Sequence, residues 1–164
     1  MPVQQGQIEY YRFGHGSPVV LIPGYATDVT SWNREFLTKL AEKHQFILLN
    51  NRNVAGSPIH SNSYRSEDLA NDVYLLIKKL DLKKPAVVGI SMDGMIAQQL
   101  AVLHQKSLVQ LILINTSIAG SQAVHPDPVI EKQLRSCQKI NLVFMSRQLI
   151  CFFRHYGGRR WHTH

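Results

Sequence analysis

Four short, continuous apolar runs constrain the fold of this chain more than any other feature of its sequence. They cover residues 18–24 (PVVLIPG), 46–50 (FILLN), 85–91 (PAVVGIS) and 108–115 (LVQLILIN). A run of this length without polar alternation is typical of a strand that is buried on both faces, as in a parallel sheet. We therefore expect the four runs to form one parallel sheet at the centre of the protein.

The segments between these runs repeat their apolar residues with a period near 3.6, which predicts amphipathic helices. The predicted helices cover residues 31–43, 66–80 and 92–106. Ser66 is the expected N-cap of the second helix. Residues 8–13 (IEYYRF) are expected to form an antiparallel edge strand that turns into the first buried strand. Strands that alternate with helices predict an α/β fold with right-handed crossovers.

Composition and length favour one soluble globular domain. The chain has 164 residues, of which 45% are hydrophobic and 18% charged, so it is long enough and apolar enough to bury a core. Its polar start and the lack of an 18-residue apolar stretch predict a cytoplasmic protein without a membrane span. Two cysteines, Cys137 and Cys151, are too few for a disulfide framework or a cysteine-rich zinc site.

The segment at residues 89–94 (GISMDG) carries the strongest chemical signal. It lies between a predicted buried strand and a predicted helix, which is the setting of a nucleophile elbow. In such an elbow a sharp turn lifts the serine hydroxyl clear of the sheet, and small flanking residues leave room for the turn. A glycine-serine pattern by itself is more often a structural turn than an active site.

Two further segments make the pattern specific. Residues 21–25 (LIPGY) follow the first buried strand, and residues 49–57 (LNNRNVAGS) follow the second. Together with residues 89–94, and in this order, they resemble the oxyanion loop, the Asp-x-Arg-Gly-x-Gly-x-Ser segment and the elbow of the α/β-hydrolase family, lipase/esterase type. The resemblance covers about residues 8–117, and it implies a parallel-sheet α/β-hydrolase fold of which this chain is the N-terminal half.

The resemblance implies a role for each matching residue. Ser91 takes the position of the nucleophile, which attacks an acyl carbonyl. The backbone N–H groups of Tyr25 and Met92 take the position of the oxyanion hole. Gly89 and Asp93 belong to the elbow. The implied substrate is a small ester or acyl compound, with no metal and no cofactor. Arg52, which the family uses to tie loops together, is expected to be structural.

The chain departs from the family pattern at several positions. Asp93 stands where the elbow normally has a second small residue, and its charge would oppose an oxyanion forming nearby. Asn50, Asn53 and Ala55 replace the family's Asp, Gly and Gly, and we expect these changes to burden the geometry of the loop. Pro23 in place of His is a milder departure.

The catalytic acid and base have no clear counterpart. In the family both follow strands that come after the one matched by residues 108–115, and only 49 residues follow Asn115 here. The acids in this stretch are Asp127 and Glu131, and none of its histidines follows a readable strand. These histidines are His125, His155, His162 and His164. We therefore expect a truncated hydrolase with weak or no activity, or a non-catalytic remnant.

The last part of the chain is basic. Residues 131–164 hold 7 of the 18 Lys and Arg residues and 1 of the 11 Asp and Glu residues. Arginines interleaved with aromatic residues could bind nucleic acid or anionic lipid. We prefer the interpretation that residues 1–120 form a partial hydrolase domain and that residues 121–164 are the start of the cap region or an irregular basic tail, with no nucleic-acid partner.

Truncation would leave the strand at residues 108–115 with an open edge. Unpaired N–H and C=O groups on a long apolar strand invite association. We expect self-association through this edge, unless the apolar residues of the tail cover it.

Overall fold

The computed structural model of the chain describes residues 2–3, 6–24, 27–58, 63–118 and 150–154. The strands are β1 (Pro2–Val3), β2 (Gly6–Gln7), β3 (Tyr10–Phe13), β4 (Ser17–Ile22), β5 (His44–Leu49), β6 (Ala86–Ile90), β7 (Gln110–Ile114) and β8 (Ile150–Arg154). The α-helices are α1 (Arg34–Leu40), α2 (Ser66–Lys79) and α3 (Met92–Leu103), and Val29–Ser31 and Gln105–Ser107 form 3-10 turns.

A six-stranded sheet with the order β3–β5–β4–β6–β7–β8 forms the centre of the fold. The strands β5, β4, β6 and β7 are parallel to their neighbours in this series, which confirms the predicted parallel sheet. The strands β1 and β2 form a separate antiparallel pair. Helices follow β4, β5 and β6, so the order of strands and helices is that of a wound α/β fold.

The edge strand β3 pairs with β5 and not with β4, the strand that follows it in the chain. Its antiparallel register runs from Tyr10 opposite Leu49 to Phe13 opposite Phe46. The predicted edge position is confirmed, but the expected partner is wrong. Both edges of β4 are already paired, one with β5 and the other with β6, so the exposed strand β3 joins the free edge of β5.

The sheet divides the core into two layers. Helices α2 and α3 cover one face, where Val20 and Ile22 of β4 join a cluster with Leu76 and Leu100. Leu21 points to the other face and packs in a second cluster with α1. This alternation along β4 explains why its sequence is apolar without interruption, since both faces of the strand are buried.

The strand β8 lies on the far side of β7. It pairs antiparallel over the full length of β7, from Gln110 opposite Arg154 to Ile114 opposite Ile150. Of the outcomes that the sequence left open for this edge, the described residues show the one in which the tail covers it. Residues 119–149 and 155–164 lie outside the described residues, so the predicted division at residue 120, the cap region and a binding role of the basic tail stay predictions.

The helices are close to their predicted positions but shorter. Helix α1 begins after Asn33, whose side-chain oxygen accepts a hydrogen bond of 2.8 Å from the N–H of Phe36. The expectation that Ser66 caps α2 is wrong, because Arg65 is the N-cap and its N–H donates to the Asp68 carboxylate at 2.8 Å. No helix within the described ranges is long and apolar enough to cross a membrane.

Candidate active site

Ser91 lies at the junction of β6 and α3. Its backbone angles are φ 54° and ψ −125°, a conformation that L-residues rarely adopt. Two hydrogen bonds hold this turn. The Ser91 N–H donates to the Ile114 carbonyl at 3.0 Å, and the Thr116 hydroxyl donates to the Ser91 carbonyl at 2.6 Å. Strained geometry persists only where its surroundings hold it, and here the end of β7 does so.

The glycines on either side of Ser91 are required by space. A Cβ atom at Gly89 would lie 2.5 Å from the carbonyl oxygen of Asp93. A Cβ atom at Gly94 would lie 2.5 Å from the Thr116 hydroxyl oxygen. The start of α3 therefore packs directly against β6 and against the segment after β7, and this close approach defines the turn.

The loop after β4 reaches the same place. A Cβ atom at Gly24 would lie 3.9 Å from the Ser91 Cβ, so the two residues are neighbours. The Thr27 hydroxyl donates a hydrogen bond of 2.8 Å to the Gly24 carbonyl and fixes this end of the loop. Tyr25, the residue expected in the oxyanion hole, directly follows Gly24 but lies outside the described residues.

Met92, the other residue expected in the oxyanion hole, is the first residue of α3. The first N–H groups of an α-helix have no acceptor within the helix, and the helix dipole places partial positive charge there. The start of α3 therefore presents hydrogen-bond donors next to Ser91. This is the electrostatic setting in which a developing negative charge is stabilised.

A cavity of about 380 Å³ adjoins Ser91. Besides Ser91 and Met92 it is lined by Met95 and by three polar residues that follow β7, namely Asn115, Thr116 and Ser117. Sequence reasoning did not assign these three to the site. The available signal was that they follow a strand of the predicted parallel sheet, because the carboxyl ends of parallel strands meet at one edge.

A larger cleft of about 800 Å³ is lined by the ends of α2 and α3 and by residues preceding β6, away from Ser91.

Asp93 is buried in the second position of α3. The residue is 0% exposed, and the Asn51 amide donates a hydrogen bond to its Oδ2, while its Oδ1 has no hydrogen-bond partner in the described part of the chain. Burial raises the pKa of Asp93 to about 7, and the Asn51 hydrogen bond opposes this rise. Asn51, which comes from the loop after β5, is a second contact that sequence reasoning missed.

The loop after β5 is strained in the way the sequence predicted. Asn53 has a φ of 60° and Ala55 a φ of 44°. These two residues stand where the family pattern has glycine, the residue that adopts positive φ without cost. The expectation that the replacements burden the loop geometry is confirmed for Asn53 and Ala55, and Asn50 has no such strain.

Arg52 in the same loop forms a buried ion pair with Asp72 of α2. Its Nε and Nη2 atoms both donate to the carboxylate, the second at 2.9 Å. The side chains are 8% and 3% exposed. The pair ties the loop to α2, as expected of a structural arginine.

Within the part of the chain that the structure describes, no titratable side chain is hydrogen-bonded to Ser91, whose bonds are made by its backbone. His104 is at the far end of α3, which is roughly 18 Å long at 1.5 Å per residue, and its ring stacks on Tyr74 at 3.7 Å. The histidines considered from the sequence all lie outside the described residues, as do Asp127 and Glu131. The described residues also contain no group of three or more His, Cys, Asp or Glu that could hold a metal ion.

The family model for the alpha/beta hydrolase fold matches residues 17–163. This match extends beyond residue 117, where the resemblance of the motifs ends. Among curated proteins, the chain is 34% identical over 85 residues to the "Putative non-heme chloroperoxidase" of Synechocystis sp., covering 52% of this chain and 31% of the relative. It is 26% identical to the 3-oxoadipate enol-lactonase 2 of Acinetobacter baylyi, covering 75% of this chain and 46% of the relative.

A thermophilic esterase from Thermogutta terrifontis is similar in structure, with a TM-score of 0.67 and 26% identity, and the match covers 80% of this chain and 46% of the esterase. The chain thus spans less than half the length of these relatives. The family match covers most of the chain, and the strand order and the turn at Ser91 agree with it. The chain therefore belongs to the α/β-hydrolase family.

Proposed function

We propose that the chain is a serine hydrolase that acts on carboxylic esters or similar small acyl substrates, with Ser91 as the nucleophile. The observation that carries this proposal is the backbone of Ser91, with φ 54° at the point where β6 ends and α3 begins. This turn presents the residue to the 380 Å³ cavity. The esterase of similar fold makes an ester substrate a reasonable expectation for this chain.

In the proposed reaction the Ser91 hydroxyl oxygen attacks the acyl carbonyl, and negative charge develops on the carbonyl oxygen. The N–H groups of Met92 and Tyr25 would donate hydrogen bonds to this oxygen and so form an oxyanion hole. Two positions support this role. Met92 begins α3, and Gly24, the residue before Tyr25, lies beside Ser91.

The Ser91 proton needs a base within hydrogen-bond reach, and the described residues supply none at that distance. We therefore expect slow turnover. An oxyanion hole and binding alone accelerate acyl transfer by about 10³–10⁴-fold over water, which is small beside a complete triad. No single tail histidine should be essential for this residual rate.

A fluorophosphonate probe and a short-chain aryl ester test the proposal. The probe should label the chain, and Ser91→Ala should abolish both labelling and ester hydrolysis. Ser66→Ala, which changes an exposed serine at the start of α2, is the matched control and should leave both unchanged. Labelling that survives Ser91→Ala would overturn the assignment of the nucleophile. Rapid turnover that one His→Ala variant of the tail abolishes would show a rebuilt triad and contradict the expected slow rate.

A second candidate is a protein that keeps the fold and lacks turnover. The observation that favours it is Asp93, whose buried carboxyl lies at the start of α3 where an oxyanion would form. A folded chain that neither reacts with the probe nor hydrolyses the ester would support this candidate.

A further inference from the structure

The start of α3 contains an arrangement that the proposed reaction does not use. Asp93 is fully buried two residues after Ser91, and among the described residues its carboxyl group has one hydrogen bond, which the Asn51 side chain donates. The other carboxyl oxygen, Oδ1, is buried and has no hydrogen-bond partner among the residues that the structure describes. A carboxylate is rarely buried with one hydrogen bond and no cation, because desolvation disfavours the charged form.

Among the described residues, no positively charged side chain forms an ion pair with Asp93. No ionisable residue lies on β4, β6 or β7, and Asp93 is the only one on α3 itself. Arg52, next to Asn51 in the chain, is engaged by Asp72. The remaining charged or titratable groups on the elements packed against α3 are Glu67, Asp68, Tyr74, Lys78 and Lys79 on α2, and His104 and Lys106 at the opposite end of α3.

The dipole of α3 favours the ionised form of Asp93, because the residue lies at the start of the helix. Burial favours the neutral form and opposes this effect. The pKa of Asp93, raised to about 7, agrees with the geometry in showing that burial dominates. The carboxyl therefore exchanges its proton in the neutral pH range, next to the turn that presents Ser91.

We propose that Asp93 is a proton-dependent positioning residue, whose neutral carboxyl, held by Asn51, keeps the Ser91 turn in place, and whose ionisation loosens this turn. The inference concerns regulation of the site assigned under the proposed function and rests on it for its effect on reactivity. When the proton leaves for solvent, the carboxylate is buried with no counter-ion among the described residues. The charge is relieved by movement of the first turn of α3, which carries Met92 and is packed against Thr116 through Gly94.

The sign of the pH effect follows from the direction of the pKa shift. The neutral form of Asp93 predominates below pH 7, so the turn is tight there and loosens as the pH rises through 7. A negative charge near the Met92 N–H also opposes an oxyanion, which acts in the same direction. Reactivity of Ser91 should therefore decline above pH 7, in contrast to a site limited only by deprotonation of a base.

Hydrogen exchange and probe labelling of the full chain test this inference. Exchange of the segment at residues 86–95 is measured from pH 6 to pH 9 in the wild type, in Asp93→Asn and in Asp81→Asn. The Asn variant keeps the shape of the neutral acid and cannot ionise, and Asp81 is an exposed control. We expect the backbone amides of this segment in the wild type to become less protected above pH 7 than the same amides in Asp93→Asn. The Asp81→Asn variant should show the same protection as the wild type at each pH.

Fluorophosphonate labelling of the same proteins should show a wild-type rate, relative to Asp93→Asn, that is about tenfold lower at pH 9 than at pH 6. Protection and labelling ratios that do not change with pH would overturn the role of Asp93. If protection changes with pH but Ser91 reacts at no pH, the positioning role stands and the proposed nucleophile is wrong. Should Asp93→Asn fail to fold, Asp93→Gly, which restores a small residue at the turn, replaces it with the same expectations.

Discussion

At the scale of single residues, three of the six described non-glycine residues with positive φ stand where the family pattern places glycine or the nucleophile. Ser91, Asn53 and Ala55 all have positive φ. Asn tolerates this conformation better than other L-residues because its short side chain forms local hydrogen bonds. Alanine has no such compensation, so Ala55 is the most unfavourable residue of the loop after β5.

Ala55→Gly should therefore stabilise the protein by about 0.5–1 kcal/mol. The left-handed conformation costs an L-residue roughly 1–2 kcal/mol, and the greater freedom of glycine in the unfolded chain offsets part of this gain. The measurement is chemical denaturation of the variant and the wild type.

Ala41→Gly is the matched control, because Ala41 at the end of α1 has a φ of −65°. The same substitution there relieves no strain and should destabilise by several tenths of a kcal/mol. A loss of stability at both positions would contradict the assignment of strain to Ala55.

At the scale of elements, buried polar contacts hold the loop after β5 against its neighbours. Arg52 binds Asp72 on α2, and Asn51 binds Asp93 on α3. Ser57 is 0% exposed, accepts a hydrogen bond of 2.8 Å from the Glu9 N–H and donates one of 2.8 Å to the Asn50 carbonyl. The loop thereby connects the sheet edge to both helices of one layer.

Arg52→Ala should destabilise the protein by about 3–5 kcal/mol, because it leaves the buried Asp72 carboxylate without a partner. Lys83→Ala is the matched control. It breaks an ion pair with Asp81 whose side chains are 82% and 81% exposed, and exposed pairs contribute less than about 1 kcal/mol. The free energy of unfolding of both variants is measured by chemical denaturation. An equal decrease in the two variants would show that the buried Arg52–Asp72 pair stabilises the fold no more than the exposed pair does.

At the scale of the whole molecule, the sheet is completed by a segment far along the chain. The interior position of β7 depends on β8, which supplies hydrogen-bond partners along one entire side of that strand. Without β8 the unpaired edge would carry Leu111 and Leu113, which are 4% and 7% exposed in the folded chain. We therefore expect self-association through this edge to be weak while β8 is paired with β7 and to increase when β8 is removed.

Deleting residues 131–164 should increase self-association, because it removes β8 and exposes the edge of β7. Light scattering at micromolar concentration measures the effect. A shorter deletion, of residues 155–164, keeps β8 and removes part of the basic tail, so it should associate less than the longer deletion. If the two deletions behave alike, loss of β8 is not the cause of association.

Much of this architecture could be predicted from residue patterns. Continuous apolar runs predicted β4 to β7, the 3.6 period predicted the helices, and the glycines around Ser91 predicted a tight strand-to-helix turn. These features depend on residues that are close together in the chain, and the spacing of the apolar residues shows directly which side chains are buried. The strain at Asn53 and Ala55 was predictable for the same reason, since the replaced positions demanded a particular φ.

The tertiary structure alone decided which distant segments meet. Four contacts join residues that are far apart in sequence. They are the pairing of β3 with β5, the pairing of β7 with β8, the hydrogen bond from Asn51 to Asp93 and the hydrogen bond from Thr116 to Ser91. No local pattern encodes such contacts, because they depend on which neighbours a folded sheet brings to each strand end. The sequence by itself thus determined the strands β3 to β7, the three α-helices and the position of the nucleophile candidate, and the packing of those elements decided what surrounds it.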